Sequence, residues 1–186
     1  VIEKHFLDSL FLCHTLDLNA EKSIIDVGTG AGFPGIPLKI AFPQLKITLL
    51  DSLNKRVGFL NEVIEALELK DIEAVHGRAE DFARDKEHRA AYDICVSRAV
   101  ANMSTLSENC LQIVKMGGCF VSYKSGECER EVADAKSAIY LLGGKLNKIE
   151  QFGYSDNHRS FVIIDKVMNT SNKYPRKAGL PSKKPL

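Results

Sequence analysis

Ile24-Ile25-Asp26-Val27-Gly28-Thr29-Gly30-Ala31-Gly32-Phe33-Pro34-Gly35 reads as a strand, a tight turn and the start of a helix. Four residues of β-forming character lead into three alternating glycines, and a proline opens the next segment. Glycine reaches backbone angles closed to other residues and lets a ligand lie against bare backbone. Proline suits the first turn of a helix, where its missing N–H has no partner to lose. The remaining N–H groups and the positive end of the helix dipole are then expected to face a ligand on the turn. The alternative is a strand-to-helix corner with no ligand.

Spacing narrows the ligand. A dinucleotide fingerprint, G-x-G-x-x-G, counted from Gly28 needs glycine where Phe33 stands. Counted from Gly30 it is met only with Pro34 inside the turn. The pattern present is Asp-x-Gly-x-Gly-x-Gly. This resembles motif I of the Rossmann-like S-adenosylmethionine methyltransferases and makes Gly28, Gly30 and Gly32 candidate cofactor contacts.

Outward from this stretch, strand and helix patterns alternate. Strands are expected over 24–27, 46–50, 72–75, 92–96 and 119–123. Helices are expected over 34–41, 54–69, 104–114 and 127–142, and apolar residues recur at helical spacing in 1–16. A turn is expected at 116–118. Segments 145–152 and 160–164 read as two further strands joined by a polar loop, able to pair as a hairpin. The pattern predicts an α/β fold: a mostly parallel seven-stranded sheet with helices on both faces. Ligands in such sheets bind beyond the carboxyl ends of the strands, where strand order reverses. The glycine turn lies at such an end.

Composition bounds the rest. With 186 residues the chain holds one α/β domain, and 45% hydrophobic with 26% charged residues is a globular balance. No apolar run approaches the roughly 20 residues of a membrane span, and no signal-peptide pattern is present. Five scattered cysteines form no C-x-x-C pair, so neither a metal site nor a disulfide framework is indicated. The expectation is a cytoplasmic monomer. The chain opens mid-pattern without Met, so further residues upstream are expected. Net charge is +1, yet residues 166–186 carry six Lys and Arg and no acid, which leaves 1–165 at −5. This divides the chain into a domain over 1–165 and a basic tail over 166–186. The tail suits a polyanion, unless it only solubilises the chain.

Four further positions carry chemistry. Asp51 closes the second strand, where an acid accepts from ribose hydroxyls; it can equally cap the next helix. Ala79-Glu80 comes after the third strand, where a methyltransferase clasps adenine; a solvated loop acid is the other reading. Arg98, after the fourth strand, can hold a cofactor carboxylate or a base edge, or form a structural ion pair. Lys124, after the fifth strand, is a weaker candidate for phosphate or base contact. The Asn/Asp-Pro-Pro-aromatic motif of exocyclic-amine methylation is absent, and no cysteine has the setting of a pyrimidine C5 nucleophile. A ring nitrogen such as guanine N7 carries no proton and needs neither, only positioning and favourable charge. Arg98 and Lys124 are therefore the candidate catalytic residues.

Together, His5-Phe6-Leu7-Asp8-Ser9-Leu10, Asp26 to Gly35, Leu50-Asp51-Ser52 with Lys55-Arg56, Gly77 to Asp81, Ser97-Arg98-Ala99, Lys173 to Lys177 and Lys183 to Leu186 resemble the glucose-inhibited division protein B family. These are bacterial ribosomal RNA small-subunit methyltransferases G. The resemblance covers essentially the whole chain. It implies methylation of guanine N7 in 16S rRNA with S-adenosylmethionine as donor, and the small ribosomal subunit as partner. It places cofactor contacts on Gly28, Phe33, Ala79, Glu80 and Arg98. RNA contact is expected from Lys173, Arg176, Lys177, Lys183 and Lys184, and removal of 173–186 is expected to spare cofactor binding. Competing readings are a nicotinamide oxidoreductase, a methyltransferase for a small molecule or protein, and a non-catalytic rRNA-binding module that keeps a cofactor pocket.

Overall fold

In β1 (Ser23–Val27), Ile24 and Ile25 are both fully buried, but on opposite faces of the sheet. Ile24 joins a core with Leu38, Leu60, Ile94 and Phe161, and Ile25 joins one with Met103, Leu106, Phe120 and Val162. A strand covered on both faces must be apolar at successive positions, which is why β1 reads as a continuous run. β7 (Asn157–Lys166) repeats the arrangement: Phe161 and Ile163 face one core, Val162 and Ile164 the other. The computed structural model describes residues 2–99, 101–154 and 157–186.

Between these lie β2 (Lys46–Asp51), β3 (Ile72–His76), β4 (Tyr92–Ser97), β5 (Val114–Ser125) and β6 (Gly144–Tyr154). The sheet order is β3-β2-β1-β4-β5-β7-β6. β1 to β5 pair in parallel, and β7 runs antiparallel to both β5 and β6. After β3 the chain crosses back to lay β4 on the other side of β1. Connections therefore leave β1 and β4 in opposite directions, and a crevice opens at their carboxyl ends.

Helices cover both faces. Helical turns at Ile2–Leu7 and Phe11–His14 flank α1 (Asp8–Leu10), which with α2 (Gly35–Ala41) and α3 (Asn54–Ala66) lies on the Ile24 face. On the Ile25 face lie α4 (Ala79–Phe82), α5 (Met103–Cys110), α6 (Glu129–Asp134) and α7 (Lys136–Leu141). A last short helix, α8 (Leu180–Lys183), sits in the C-terminal segment. Among the described residues no helix is long and apolar enough to cross a membrane.

Several boundaries differ from the sequence reading. The helix expected over 127–142 is two helices meeting at Ala135, and those expected to reach 69 and 114 end at Ala66 and Cys110. Residues 116–118 do not form a separate turn but lie within β5 as an irregularity in its pairing with β4. Gly117 has φ +80, and a Cβ on Gly118 would strike the carbonyl of Asp93, so the glycines permit a bulge rather than a stop. Ala79 to Asp81 is helical rather than loop. Both hairpin strands extend into the expected polar loop; positions 155 and 156 lie outside the described residues.

Candidate functional site

The three glycines of the turn have positive φ for different reasons. A Cβ on Gly32 (φ +94) would collide with Ile36 and Leu60, so this glycine serves helix packing. A Cβ on Gly28 (φ +71) would meet Ala99 at 3.4 Å. At Gly30 (φ +63) no heavy atom lies within 4 Å of such a Cβ, which leaves open space against bare backbone.

Most of the turn's N–H groups are not free, contrary to expectation. Those of Gly28 and Thr29 donate to Leu50 O at 2.9 and 3.2 Å, and those of Gly32 and Phe33 to Thr29 O at 3.0 and 3.2 Å. Gly30 N–H donates to Asp51 Oδ2 and Gly35 N–H to Asp26 Oδ2, each at 2.9 Å. A pyrophosphate needs such donors. A turn that has directed them inward suits a ligand without phosphate, recognised by the neighbouring carboxylates.

Two carboxylates stand there. Asp51 Oδ1 also accepts from Leu53 N–H at 2.9 Å, so Asp51 steadies the approach to α3 and the glycine turn together. Asp26, fully buried, takes Thr29 Oγ1 at 2.7 Å and Gly35 N–H on Oδ2, while its Oδ1 has no hydrogen-bond partner among the described residues. Burial pushes its carboxyl up from 3.8 to about 6; the Thr29 and Gly35 hydrogen bonds and the charge of Arg98 oppose that rise, and Asp51 adds to it.

Two cavities meet at the carboxyl ends of the strands. The smaller, about 320 Å³, is lined by Gly28, Asp51, Ala79, Glu80, Thr105 and Ser182 among others. The larger, about 550 Å³, is lined by Asp8, Arg98, Lys124, Glu127, Glu131 and Arg159 among others. Ala99 and Ala101, just after β4, border both. The expected residues thus divide: Gly28, Asp51, Ala79 and Glu80 share the smaller cavity, and Arg98 and Lys124 the larger. Gly30 sits on Asp51. Phe33 lines neither cavity and packs between the N-terminal segment and Arg98. Its ring lies 5.3 Å from that of His5, 5.1 Å edge-on from Phe6 and 5.9 Å from the Arg98 guanidinium carbon. Arg98 Nη2 also donates to His5 Nδ1 at 3.4 Å.

In the larger cavity Lys124 Nζ donates to Ala101 O at 2.8 Å and to Glu131 Oε1 at 2.7 Å. It is a held cation rather than a loose one. Arg159 Nε donates to Asp8 Oδ2 at 2.8 Å on the same rim. Glu80 is buried in α4, and its Oε1 accepts from Gly179 N–H at 2.9 Å, so it is not a solvated loop acid.

The basic tail is not an appendage. β7 runs one residue past the expected boundary to Lys166, whose buried Nζ donates to Leu111 O at 2.7 Å. Arg176, expected to face RNA, turns inward to the buried Glu108. Its backbone N–H and Nε donate to Oε1 at 2.7 and 2.9 Å, and Nη2 donates to Oε2 at 2.7 Å. Glu108 demanded this, since a carboxylate without solvent must be paired. Lys173, Lys177, Lys183 and Lys184 remain exposed. Sequence reasoning missed Asp8, Glu131, Arg159, Glu108, Gly179 and Ser182 as site-building residues. Only Asp8 carried a signal, within the His5 to Leu10 stretch.

The family described as GidB, rRNA small subunit methyltransferase G, matches residues 1–162. A ribosomal RNA small subunit methyltransferase G of Clostridium kluyveri is 51% identical over 186 residues, covering 100% of this chain and 78% of that protein. One of Acetivibrio thermocellus is 53% identical, covering 100% and 77%. Among solved structures, the YcgJ protein of Bacillus subtilis superposes with a TM-score of 0.67 at 11% identity, covering 89% of this chain and 100% of its own. TrmN of Thermus thermophilus gives 0.67 at 16% identity, covering 89% and 53%. At such identities these structures speak to the fold.

Proposed function

The chain belongs to the GidB family, the rRNA small subunit methyltransferases G, and on that basis we propose that it methylates N7 of a guanine in 16S rRNA with S-adenosylmethionine as donor. The observation that carries this reading is the pair of cavities joined at Ala99 and Ala101, one beside the glycine turn and one beside Arg98 and Lys124.

The smaller cavity fits the cofactor. Gly28, Asp51, Ala79 and Glu80 line it, Gly30 beside it on Asp51 has open space over its backbone, and the turn's inward-directed amides leave no phosphate cradle. Bound there, S-adenosylmethionine supplies an electrophilic methyl group on a sulfonium. Gly28 and Gly30 admit the ligand, and Asp51 retains lone pairs for sugar hydroxyls. Ala79 and Glu80 border the base side, and Arg98, with Phe33 packed against it, supplies a cation for a carboxylate.

The larger cavity is the acceptor side. Guanine N7 carries no proton, so no general base is required, and the work is positioning. Methylation leaves the base cationic. Asp8, Glu127 and Glu131 line the cavity beside Arg98, Lys124 and Arg159, so fixed charges of both signs stand where the cation forms. Lys124, with N–H donors already given to Ala101 and Glu131, has one left, in a fixed direction, for a base edge. The acceptor must be a splayed-out nucleotide, because the narrow A-form major groove hides N7.

The test is transfer of a labelled methyl group from S-adenosylmethionine to unmodified small-subunit rRNA, free and in the subunit, with the label mapped by nuclease digestion. Label on one guanosine, released by alkaline depurination, is expected. Label on another base or none on either substrate overturns the reading.

A further inference from the structure

We propose that residues 175–184 are part of the cofactor site: they form its outer wall and hold Glu80 in position. The inference rests on the smaller cavity being the S-adenosylmethionine site. Ser182 lines that cavity together with Gly28, Asp51 and Glu80. Gly179 N–H donates to Glu80 Oε1 at 2.9 Å, and Gly179 has φ +82, a backbone angle at which glycine is at ease.

The segment is fastened to both sides of the cavity. On one side are Glu80 in α4 and Arg84 just after it, whose Nη2 donates to Pro175 O at 2.9 Å. On the other is α5, where Thr105 Oγ1 donates to Pro181 O at 2.9 Å and Glu108 clamps Arg176. Thr105 and Glu108 are three residues apart, so they lie on the same side of α5. Thr105 itself lines the cavity.

A strap attached to both walls fixes the gap between them. It also removes freedom from a buried carboxylate at the place a nucleoside would meet it. Ordering done before binding need not be done on binding, so the strap raises affinity without needing many direct contacts. Arg176, Gly179 and Thr105 are thus positioning residues for the cofactor. Removal of the segment is expected to impair cofactor binding, which reverses the separable tail expected from composition.

The test is calorimetric titration of S-adenosylmethionine into the wild-type chain and two variants. Thr105→Val keeps the shape of the side chain but releases Pro181. Glu108→Leu with Arg176→Met removes both the backbone and the side-chain hydrogen bonds of the clamp and leaves no buried charge. Each is expected to weaken binding about tenfold or more, while circular dichroism shows a folded chain. Folded variants that bind within about twofold of wild type overturn the inference. A second measurement uses only the wild type. Amide exchange of residues 176–183 is expected to slow on adding S-adenosylmethionine, and unchanged exchange at saturation overturns the inference. A wild-type chain that binds no S-adenosylmethionine overturns the cofactor reading itself, an outcome distinct from the other two.

Discussion

Arg159 Nε donates to Asp8 Oδ2 at 2.8 Å across a separation of 151 residues, and the pair ties the N-terminal helical segment to β7 at the rim of the larger cavity. Asp8 is only 3% exposed and Arg159 25%, so losing Arg159 takes a charge-assisted hydrogen bond from a nearly dry carboxylate. Arg159→Ala is expected to lower thermal stability and to reduce kcat/KM for rRNA about tenfold or more, with S-adenosylmethionine affinity unchanged. Methyl-transfer kinetics beside calorimetry check this; equal loss of both would mean that the pair supports the whole domain rather than the acceptor side.

The glycines of the turn separate packing from binding. Gly32→Ala places a methyl group against Ile36 and Leu60 at φ +94, and is expected to destabilise the fold by roughly 2 kcal/mol or more. Gly30→Val meets nothing within 4 Å, so its stability cost is only that of a left-handed backbone, on the order of 1–2 kcal/mol, while the side chain fills ligand space. Thermal melts are expected to rank Gly32→Ala as the less stable, and calorimetry to show Gly30→Val without cofactor binding. A Gly30→Val protein with wild-type affinity would remove the ligand from this turn.

The alternation of strands and helices was legible because β1, β2 and β4 are covered on both faces and read as apolar runs between turns. Asp51 and the glycines were legible because local spacing places them at a strand end. Arg176 was misread because composition reports charge without direction; its partner Glu108 lies 68 positions earlier. The Asp8–Arg159 and Glu80–Gly179 contacts left no local trace, since only the closed sheet brings those segments together. Lys124 reads alike whether loose or held, and the contact with Glu131 depends on how α6 packs beside β5.

Asp26 carries a pH signature. Its folded value, about 6, lies above the ordinary value of 3.8, so between these values the native chain holds more protons than the unfolded one. Its favourable contribution is therefore fully present below about pH 4 and is lost as pH rises through about 6, leaving a cost on the order of 3 kcal/mol at neutral pH. Asp26→Asn keeps an acceptor for Thr29 and Gly35 and removes the charge, at the cost of burying an amide N–H₂. The variant is expected to melt higher than wild type near neutral pH, with the advantage vanishing near pH 4, and to bind cationic S-adenosylmethionine about tenfold more weakly. Lower stability of Asp26→Asn at neutral pH would show that the charge is satisfied in the folded chain.

The exposed lysines of the strap are expected to bear on RNA alone. Lys177, Lys183 and Lys184 face outward, while Arg176 is engaged with Glu108. Each phosphate neutralised releases a counterion, so three such contacts contribute about two to the slope of log affinity against log salt for unpaired RNA. Changing all three to Ser is expected to lower the slope by about that amount and to weaken rRNA binding most at low salt. S-adenosylmethionine affinity without RNA is expected to hold, because none of the three side chains lines the smaller cavity. Filter binding over a salt series reads the slope. A slope that does not change would place the phosphates on another face, and the strap would then serve the cofactor alone.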